Sequence, residues 1–253
     1  MLVPVTITKK LTKVNFTDAD RKKGDIKYLV KHYVGATGTA EQNATYFYNN
    51  YRGASAHYFV GHKGEIYQVV RDEDIAWHCG ASKYKHDSCR NSNSIGIELC
   101  VKKDCSGNWY YTDETQEAAV KLFAYLMVKY DIPIKNIMRH YDVTGKTCGE
   151  PDVRKGNKVW SSFKTRLKKE VEILKKQELE KEVPEKSETD FKIKTTCNLL
   201  NIRSGAGVKY DVVGQIYEKA GHKNTYTITE EKNGFGKLKS GAGWICLKYT
   251  KKV

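Results

Sequence analysis

The sequence has no long hydrophobic run. Nowhere in its 253 residues does an apolar stretch approach the roughly 18 residues that a membrane-spanning helix needs, so membrane insertion is not expected. The N-terminal MLVPVTITKKL is apolar only briefly and is interrupted by Thr and Lys. It lacks the apolar segment of roughly 7–15 residues that marks an export signal. The expectation is a product made in the cytoplasm without a signal peptide, which acts outside the membrane only after something else releases it. A disulfide framework is also missing. Seven cysteines are present, an odd number without an export signal, so most read as small buried hydrophobes. No internal repeat is evident. No recognised nucleic-acid motif and no basic surface interleaved with aromatics is found either, which removes the partner that a net charge of +14 would otherwise suggest first.

What is present is enough to fold. Hydrophobic residues make up 40% of the chain and aromatics 11%, with 17 Tyr among them, so the chain can bury a core. The charge is uneven. Residues 1–160 hold 24 basic and 18 acidic side chains, residues 161–189 hold 8 and 7, and residues 190–253 hold 12 and 5. The short C-terminal segment is the densest in positive charge and points to an anionic partner.

Periodicity suggests an α/β domain followed by an all-β module. Residues 26–34, rich in β-branched and aromatic side chains, read as a strand that Gly35 and Gly38 break. The Thr39-Ala-Glu-Gln42 capping box predicts a helix over 40–51. Two strands, 57–60 and 65–70, flank a Gly61–Gly64 turn, and Ser94–Val101 reads as a strand inside a sheet. Ala119, Leu122, Phe123, Leu126, Met127 and Tyr130 recur at helical spacing over 113–130, with Pro133 beyond the end. Residues 137–141 fit a short strand or the start of a loop. A charged helix then runs into a linker broken near Pro184, because Leu167, Val171 and Leu174 are too few for a full core face. From Asp190 onward, short β-like runs separated by Gly and Asn predict a barrel of five to seven strands. The predicted organisation is 1–164, a mixed sheet flanked by helices; 165–189, a helical linker; and 190–253, a small all-β barrel.

The sharpest motif is Arg139-His-Tyr-Asp-Val-Thr-Gly-Lys-Thr-Cys148. An imidazole and a soft thiolate are natural zinc ligands, but two are too few. His32 is the best third candidate, since it ends a confident strand next to the Gly35 break, where α/β sheets often place functional groups. Two His and one Cys would leave a fourth position open for water. On spacing alone the same residues serve equally well as ordinary polar groups and a small core cysteine.

His-Tyr-Val-Gly at 32–35, Ser-Ile-Gly-Ile-Glu at 94–98 and the 139–148 motif, in that order, resemble the type 2 N-acetylmuramoyl-L-alanine amidases. That group includes many phage endolysins and is related to the peptidoglycan-recognition proteins. The likeness covers about residues 1–165. It implies zinc at His32, His140 and Cys148 and catalytic roles for Glu98 and Lys146. The family usually has Pro after the Cys, where this chain has Gly149. Another branch places a Tyr before the His-aromatic strand, where this chain has Ala56, so the glutamate version fits better.

Amide hydrolysis needs an activated water, a stabilised oxyanion and a protonated leaving amine. Glu98, closing an alternating strand, suits a general base that later protonates the amine. Lys146, two residues from a ligand, can neutralise the oxyanion. Ala56-His-Tyr-Phe and Ala76-Trp-His-Cys-Gly resemble groove-lining segments of the family, so His57, Trp77 and His78 are candidate substrate contacts; a structural role for each weighs equally. His62, His86 and His222 read as surface polar residues.

Residues 190–253, with Leu200-Asn-Ile-Arg-Ser-Gly-Ala-Gly207 and Gly243-Trp-Ile, resemble the bacterial SH3-like domains that bind cell walls. Trp244 is expected in the core. The positive charge suits anionic wall polymers such as teichoic acids. The whole is expected to be a two-domain, zinc-dependent lysin that cuts peptidoglycan between N-acetylmuramic acid and L-alanine. The alternatives are a host autolysin in place of a phage endolysin, and a receptor of the same fold that binds peptidoglycan without cutting it. A Cys ligand favours cleavage over mere recognition. Oligomeric state and target bacterium are not legible.

Overall fold

The computed structural model describes residues 5–154, 156–182, 190–219 and 224–253. The chain divides into two compact units, Met1–Glu178 and Leu179–Val253. In chain order the first unit contains β1 (Thr8–Lys9), β2 (Tyr28–Tyr33), α1 (Ala40–Tyr48), β3 (Tyr58–Val60), β4 (Ile66–Gln68) and β5 (Ser94–Leu99). A ribbon of β6 (Lys102–Lys103) and β7 (Trp109–Tyr110) follows, then α2 (Asp113–Tyr130), β8 (Ile137–Arg139), α3 (His140–Thr144) and α4 (Glu150–Arg154). Helix α5 (Lys158–Glu182) begins in this unit. No helix among the described residues is long and apolar enough to cross a membrane.

Six strands form one mixed sheet in the order β1-β4-β3-β5-β2-β8. β2 runs parallel to both β5 and β8, and β3 is parallel to β5 but antiparallel to β4. Side chains alternate across a strand, so β2 sorts its residues between two faces. Leu29 joins Ile95, Ile97 and Leu99 in the main core with Leu122, Phe123 and Leu126 of α2 and Trp160, Phe163 and Leu167 of α5. Val30, on the other face, packs with Cys79, Cys89 and Val143. The face away from α2 and α5 is left to loops, to α1 and to the polar residues considered below.

The elements end for identifiable reasons. Thr39 caps α1 by accepting from the Gln42 N–H, and Gln42 returns a bond to the Thr39 N–H. The helix stops at Tyr48, short of the expected residue 51. Thr112 caps α2, which closes at Asp131 in the left-handed region (φ 55°). Of the two readings of residues 137–141, the strand holds for three of them, which form β8, but His140 opens the helix α3 and not a loop.

Helix α5 departs most from expectation. Trp160, Phe163, Leu167 and Leu174 are all buried and form one stripe, since residues three and four apart share a helix face. Two aromatics upstream of Leu167 complete the face that Leu167, Val171 and Leu174 alone could not make. The first unit therefore runs to Glu178, past residue 164, and takes in part of the segment expected as linker. Residues 183–189 of that segment lie outside the described residues, as do residues 1–4 of the N-terminal stretch.

The second unit is an all-antiparallel sheet, ordered β11-β10-β14-β13-β12-β9-β15. Its strands are β9 (Phe191–Thr195), β10 (Leu199–Arg203), β11 (Val212–Tyr217), β12 (Thr225–Lys232), β13 (Phe235–Leu238), β14 (Trp244–Cys246) and β15 (Thr250–Lys252). Isoleucines 193, 202, 216, 228 and 245 with Leu200 and Leu238 form its core. Asn233 and Gly234, both at positive φ (53° and 71°), make the two-residue turn that matches strand twist in a hairpin. Trp244 is half-buried, and its neighbour Ile245 takes the core position instead.

A buried ion pair fastens the first unit. Lys31 points from β2 to the helical face and meets Asp152 of α4, their side chains 2% and 1% exposed. The Tyr111 hydroxyl donates to the same carboxylate at 2.8 Å, and the Lys31 ammonium lies 4.1 Å from the Tyr111 ring centre. Removing one partner strands the other charge in the interior. Asp152→Ala is expected to destabilise the unit by about 3–5 kcal/mol, and Lys31→Met with Asp152→Ala to recover most of that loss, as read by denaturant unfolding. An Asp152→Ala protein as stable as the parent would show that the pair holds nothing.

Candidate metal centre and cleft

Parallel pairing brings the chemistry together. In the register of β2 on β5, His32 stands opposite Glu98. On the other side, Lys31 pairs with Arg139 of β8, so His140, the next residue, emerges beside His32. All three lie at the C-terminal ends of parallel strands, where open α/β sheets present their sites. Arg139 secures the turn into α3: its N–H donates to Asp142 Oδ2 at 2.9 Å and its guanidinium to Asp142 Oδ1 at 2.7 Å. Gly145 ends α3 at φ 85°, and the chain returns along the cleft through Lys146, Thr147 and Cys148. Gly149 then sits at φ 74°. Proline, locked near φ −65°, cannot adopt that conformation, so the missing family proline is replaced by a left-handed turn that leads straight into Asp152.

His32, His140 and Cys148 form a three-donor cluster, with one ligand atom from each lying within 4.8 Å of the others. Cys148 Sγ is 3.5 Å from His32 Nδ1, and the two imidazole rings are 4.7 Å apart at their centres. All three residues are buried. Burial holds His32 well below the usual histidine range, with the neighbouring His78 and His140 adding to the effect. Burial likewise brings His140 down to about 4. Both rings are therefore neutral with a lone pair to give. Burial pushes the Cys148 thiol up to about 12, and the adjacent Glu98 adds to the rise; a cation bound there would reverse this, since metal binding drives the proton off its thiol ligand. Two imidazoles and one thiolate fit zinc with one position left open.

Glu98 completes the group. Its Oε1 is 4.0 Å from His32 Nδ1. Its Oε2 is buried and has no hydrogen-bond partner among the described residues, which is costly for an isolated carboxylate. Burial raises its pKa to about 8, with the Lys146 charge opposing the rise. Lys146 is exposed and lines the same cleft.

The cleft encloses about 350 Å³ and brings together His32, Glu98, His140, Lys146, Cys148, Trp77 and His78. Trp77 is half-buried and its indole N–H is held by Thr17 Oγ1 at 2.9 Å. His57 does not line it. This residue is fully buried; its Nδ1 accepts from the Gly96 N–H at 3.0 Å, and its Nε2 faces Asp74 O at 3.2 Å and the Arg21 guanidinium. It sits on the same side of the sheet as His78, whose ring centre is 5.8 Å away, but it is shut off from solvent and absent from the cleft lining, so the structure does not put it in reach of a substrate. His78 reaches the cleft but is 9% exposed and turns its ring to His32. Ala56 lines the wall without offering an acid or base. Phe47 and Phe59, stacked with ring centres 5.6 Å apart, form an apolar wall; Phe59 belongs to the 56–59 segment expected to line the groove, whereas Phe47, on α1, was missed by sequence reasoning. His62 is half-buried, not a surface residue, and His222 lies outside the described residues.

Comparison with known proteins identifies the family of the first unit. A sequence profile described as N-acetylmuramoyl-L-alanine amidase matches residues 22–151. The chain is similar to the N-acetylmuramoyl-L-alanine amidase CwlL of Bacillus licheniformis, 32% identical over 183 residues, 67% of this chain and 48% of that protein. It is also similar to BlyA of Bacillus subtilis (strain 168), 32% identical over 167 residues, 60% of this chain and 44% of that protein. The chain thus spans about half the length of the curated relatives it matches. Among solved structures, the PlyG catalytic domain superposes with a TM-score of 0.54 at 28% identity, covering 66% of this chain and 95% of that one. PlyL gives 0.53 at 25% identity over 64% and 96%.

Metal-free protein offered zinc is expected to take up one ion per chain. His32→Ala and Cys148→Ser should each lower the uptake sharply, while Glu98→Gln should keep it, as read by elemental analysis after gel filtration. Full uptake by Cys148→Ser would remove the thiolate from the ligand set.

Proposed function

The chain belongs to the N-acetylmuramoyl-L-alanine amidase family, and we propose that it hydrolyses the amide bond between N-acetylmuramic acid and L-alanine in bacterial peptidoglycan, with zinc at His32, His140 and Cys148. The observation that carries this reading is the Glu98 carboxylate beside the three-donor cluster, its buried Oε2 without a hydrogen-bond partner among the described residues, in a cleft of about 350 Å³. When bound there, zinc supplies a Lewis acid that polarises the scissile carbonyl and acidifies the attacking water. Glu98 takes the proton from that water and hands it to the leaving amine nitrogen, as a general base and then a general acid. Burial raises its pKa in the metal-free site, which favours the acid form the second step needs, and a cation beside it would favour the carboxylate the first step needs. Lys146 directs its ammonium at the oxyanion of the tetrahedral stage. Phe47, Phe59 and Trp77 supply flat walls against which the muramoyl peptide packs.

The second unit supports a role in wall attachment. Its all-antiparallel architecture is consistent with an SH3-like domain, and residues 190–253 hold 12 basic against 5 acidic side chains. Anionic wall polymers are the proposed partners, through charge attraction that salt screens.

Digestion of purified peptidoglycan, followed by mass spectrometry, tests the reaction. New amino groups on L-alanine without new reducing sugars are expected, with activity lost to a chelator and restored by zinc. Glu98→Gln should lower kcat by about 10²–10⁴-fold with zinc content unchanged; a fully active Glu98→Gln protein would refute its role, and an inert parent enzyme with bound peptidoglycan would favour a receptor. Binding of the chain to purified walls is expected to weaken about tenfold as salt rises from 50 mM to 500 mM and the Debye length falls from about 14 Å to about 4 Å; salt-independent binding would contradict the charge attraction.

A further inference from the structure

His78 and Ser94 sit behind the metal cluster, and the zinc ligands do not account for them. His32 turns Nδ1 toward Cys148 Sγ and Glu98, so Nδ1 is the atom that faces the cluster. Its other nitrogen, Nε2, lies 3.1 Å from His78 Nδ1. His78 Nε2 lies 3.1 Å from Ser94 Oγ, and the Ser94 hydroxyl is 2.6 Å from Arg90 O. The rings meet edge to face, 5.1 Å apart at 89°.

The chain has a direction because it ends on a carbonyl. A carbonyl oxygen only accepts, so Ser94 spends its one proton on Arg90 O. Ser94 Oγ then has only lone pairs left for His78, which places the His78 proton on Nε2. His78 Nδ1 is therefore bare and accepts from His32 Nε2–H. That puts the His32 proton on Nε2 and leaves Nδ1 bare, facing Cys148 and Glu98. The reverse assignment would place a proton on His32 Nδ1, inside the cluster, and would break the 2.6 Å bond to Arg90 O. The neighbouring Cys79 thiol has an acceptor in Asn91 Oδ1 at 3.2 Å; it also lies against His78 and Ser94, and Cys89 against Ser94, but the 2.6 Å contact to Arg90 O is the shortest that the Ser94 hydroxyl makes.

The surroundings hold this chain in place. Asn91 Oδ1 accepts from the backbone N–H groups of His78 (3.2 Å) and Cys79 (2.8 Å). Arg21, itself buried, donates to Ser94 O at 2.8 Å. The His78 ring lies against Gly96 of β5: a Cβ at that position would be 2.4 Å from His78 Cγ. Glycine in the middle of a buried strand weakens the strand, and here its absent side chain is the space the ring occupies.

We propose that His78, locked in one tautomer by Ser94 and Arg90 O, is a positioning residue that presents His32 Nδ1 to the metal. Ligating histidines commonly donate their second N–H to a carboxylate or carbonyl, which cannot be misprotonated in this way. An imidazole acceptor works in one tautomer only, and this is why Ser94 and Arg90 belong to the device. The proposal rests on the reading of His32 as a ligand.

Zinc affinity and ring protonation test it together. Competition against a chromophoric chelator should show zinc held about 10- to 100-fold more weakly by Ser94→Ala and His78→Ala. His78→Asn, whose amide oxygen can stand where Nδ1 stood, should bind within a few-fold of the parent. In zinc-free protein labelled with 15N-histidine, His78 and His32 should both show the Nε2–H tautomer, and Ser94→Ala should lose that preference. The NMR arm does not need the metal, so it separates failure of the relay from failure of the zinc assignment. Should His78→Ala fail to fold, Ser94→Ala, which removes one oxygen, carries the comparison. Parental zinc affinity in Ser94→Ala, or an Nδ1–H tautomer at His78 in the parent, would overturn the proposal.

Discussion

The parallel pairing of β2 on β5 is the constraint from which the site follows. With His32 opposite Glu98, a candidate metal donor and a carboxylate stand on adjacent strands and on one face. A one-residue slip would turn both sets of side chains to the wrong side of the sheet. Slippage is prevented by the other face: Leu29 of β2 and Ile95, Ile97 and Leu99 of β5 are buried against α2 and α5, and a slip would turn the apolar set of whichever strand moved out of the core. The hydrophobic core thus sets the position of a polar site it does not touch.

The same alternation explains why the strand carries Lys31 beside His32. His32 faces the cleft, and Lys31 faces inward and grips Asp152. Asp152 lies four residues after Cys148, across the left-handed turn at Gly149. One strand therefore supplies a donor to the cluster and an anchor for the segment that delivers the Cys148 sulfur. Such a buried pair adds little net stability compared with a well-packed apolar pair; what it supplies here is position.

Much of this was legible in the sequence, and the residues show why. His32, Glu98, His140 and Cys148 sit in segments whose texture is strong: a strand bounded by glycines, an alternating strand, and a ten-residue motif. Their spatial convergence came from motif order, since the sheet order β3-β5-β2-β8 is not written in local periodicity. Residues 69–93 between β4 and β5 have little regular structure, and pattern reasoning could not tell that His78 backs onto His32. Helix α5 was misjudged because its stripe begins at Trp160 and Phe163, before the run of charge that dominated its composition. The second unit was readable at the level of strand number and core isoleucines, and Trp244 was not, because a residue that alternates with Ile245 cannot share its side of β14.

The central claim is that His32, His140 and Cys148 hold one zinc ion while Glu98 stays out of the ligand set. X-ray absorption at the zinc edge reads that set directly. The account predicts one sulfur and two imidazole nitrogens around the ion, with the remaining scattering from light atoms, and the same spectrum when Glu98 is replaced by Gln. A shell without sulfur, or a shell that changes on losing the Glu98 carboxylate, would contradict it.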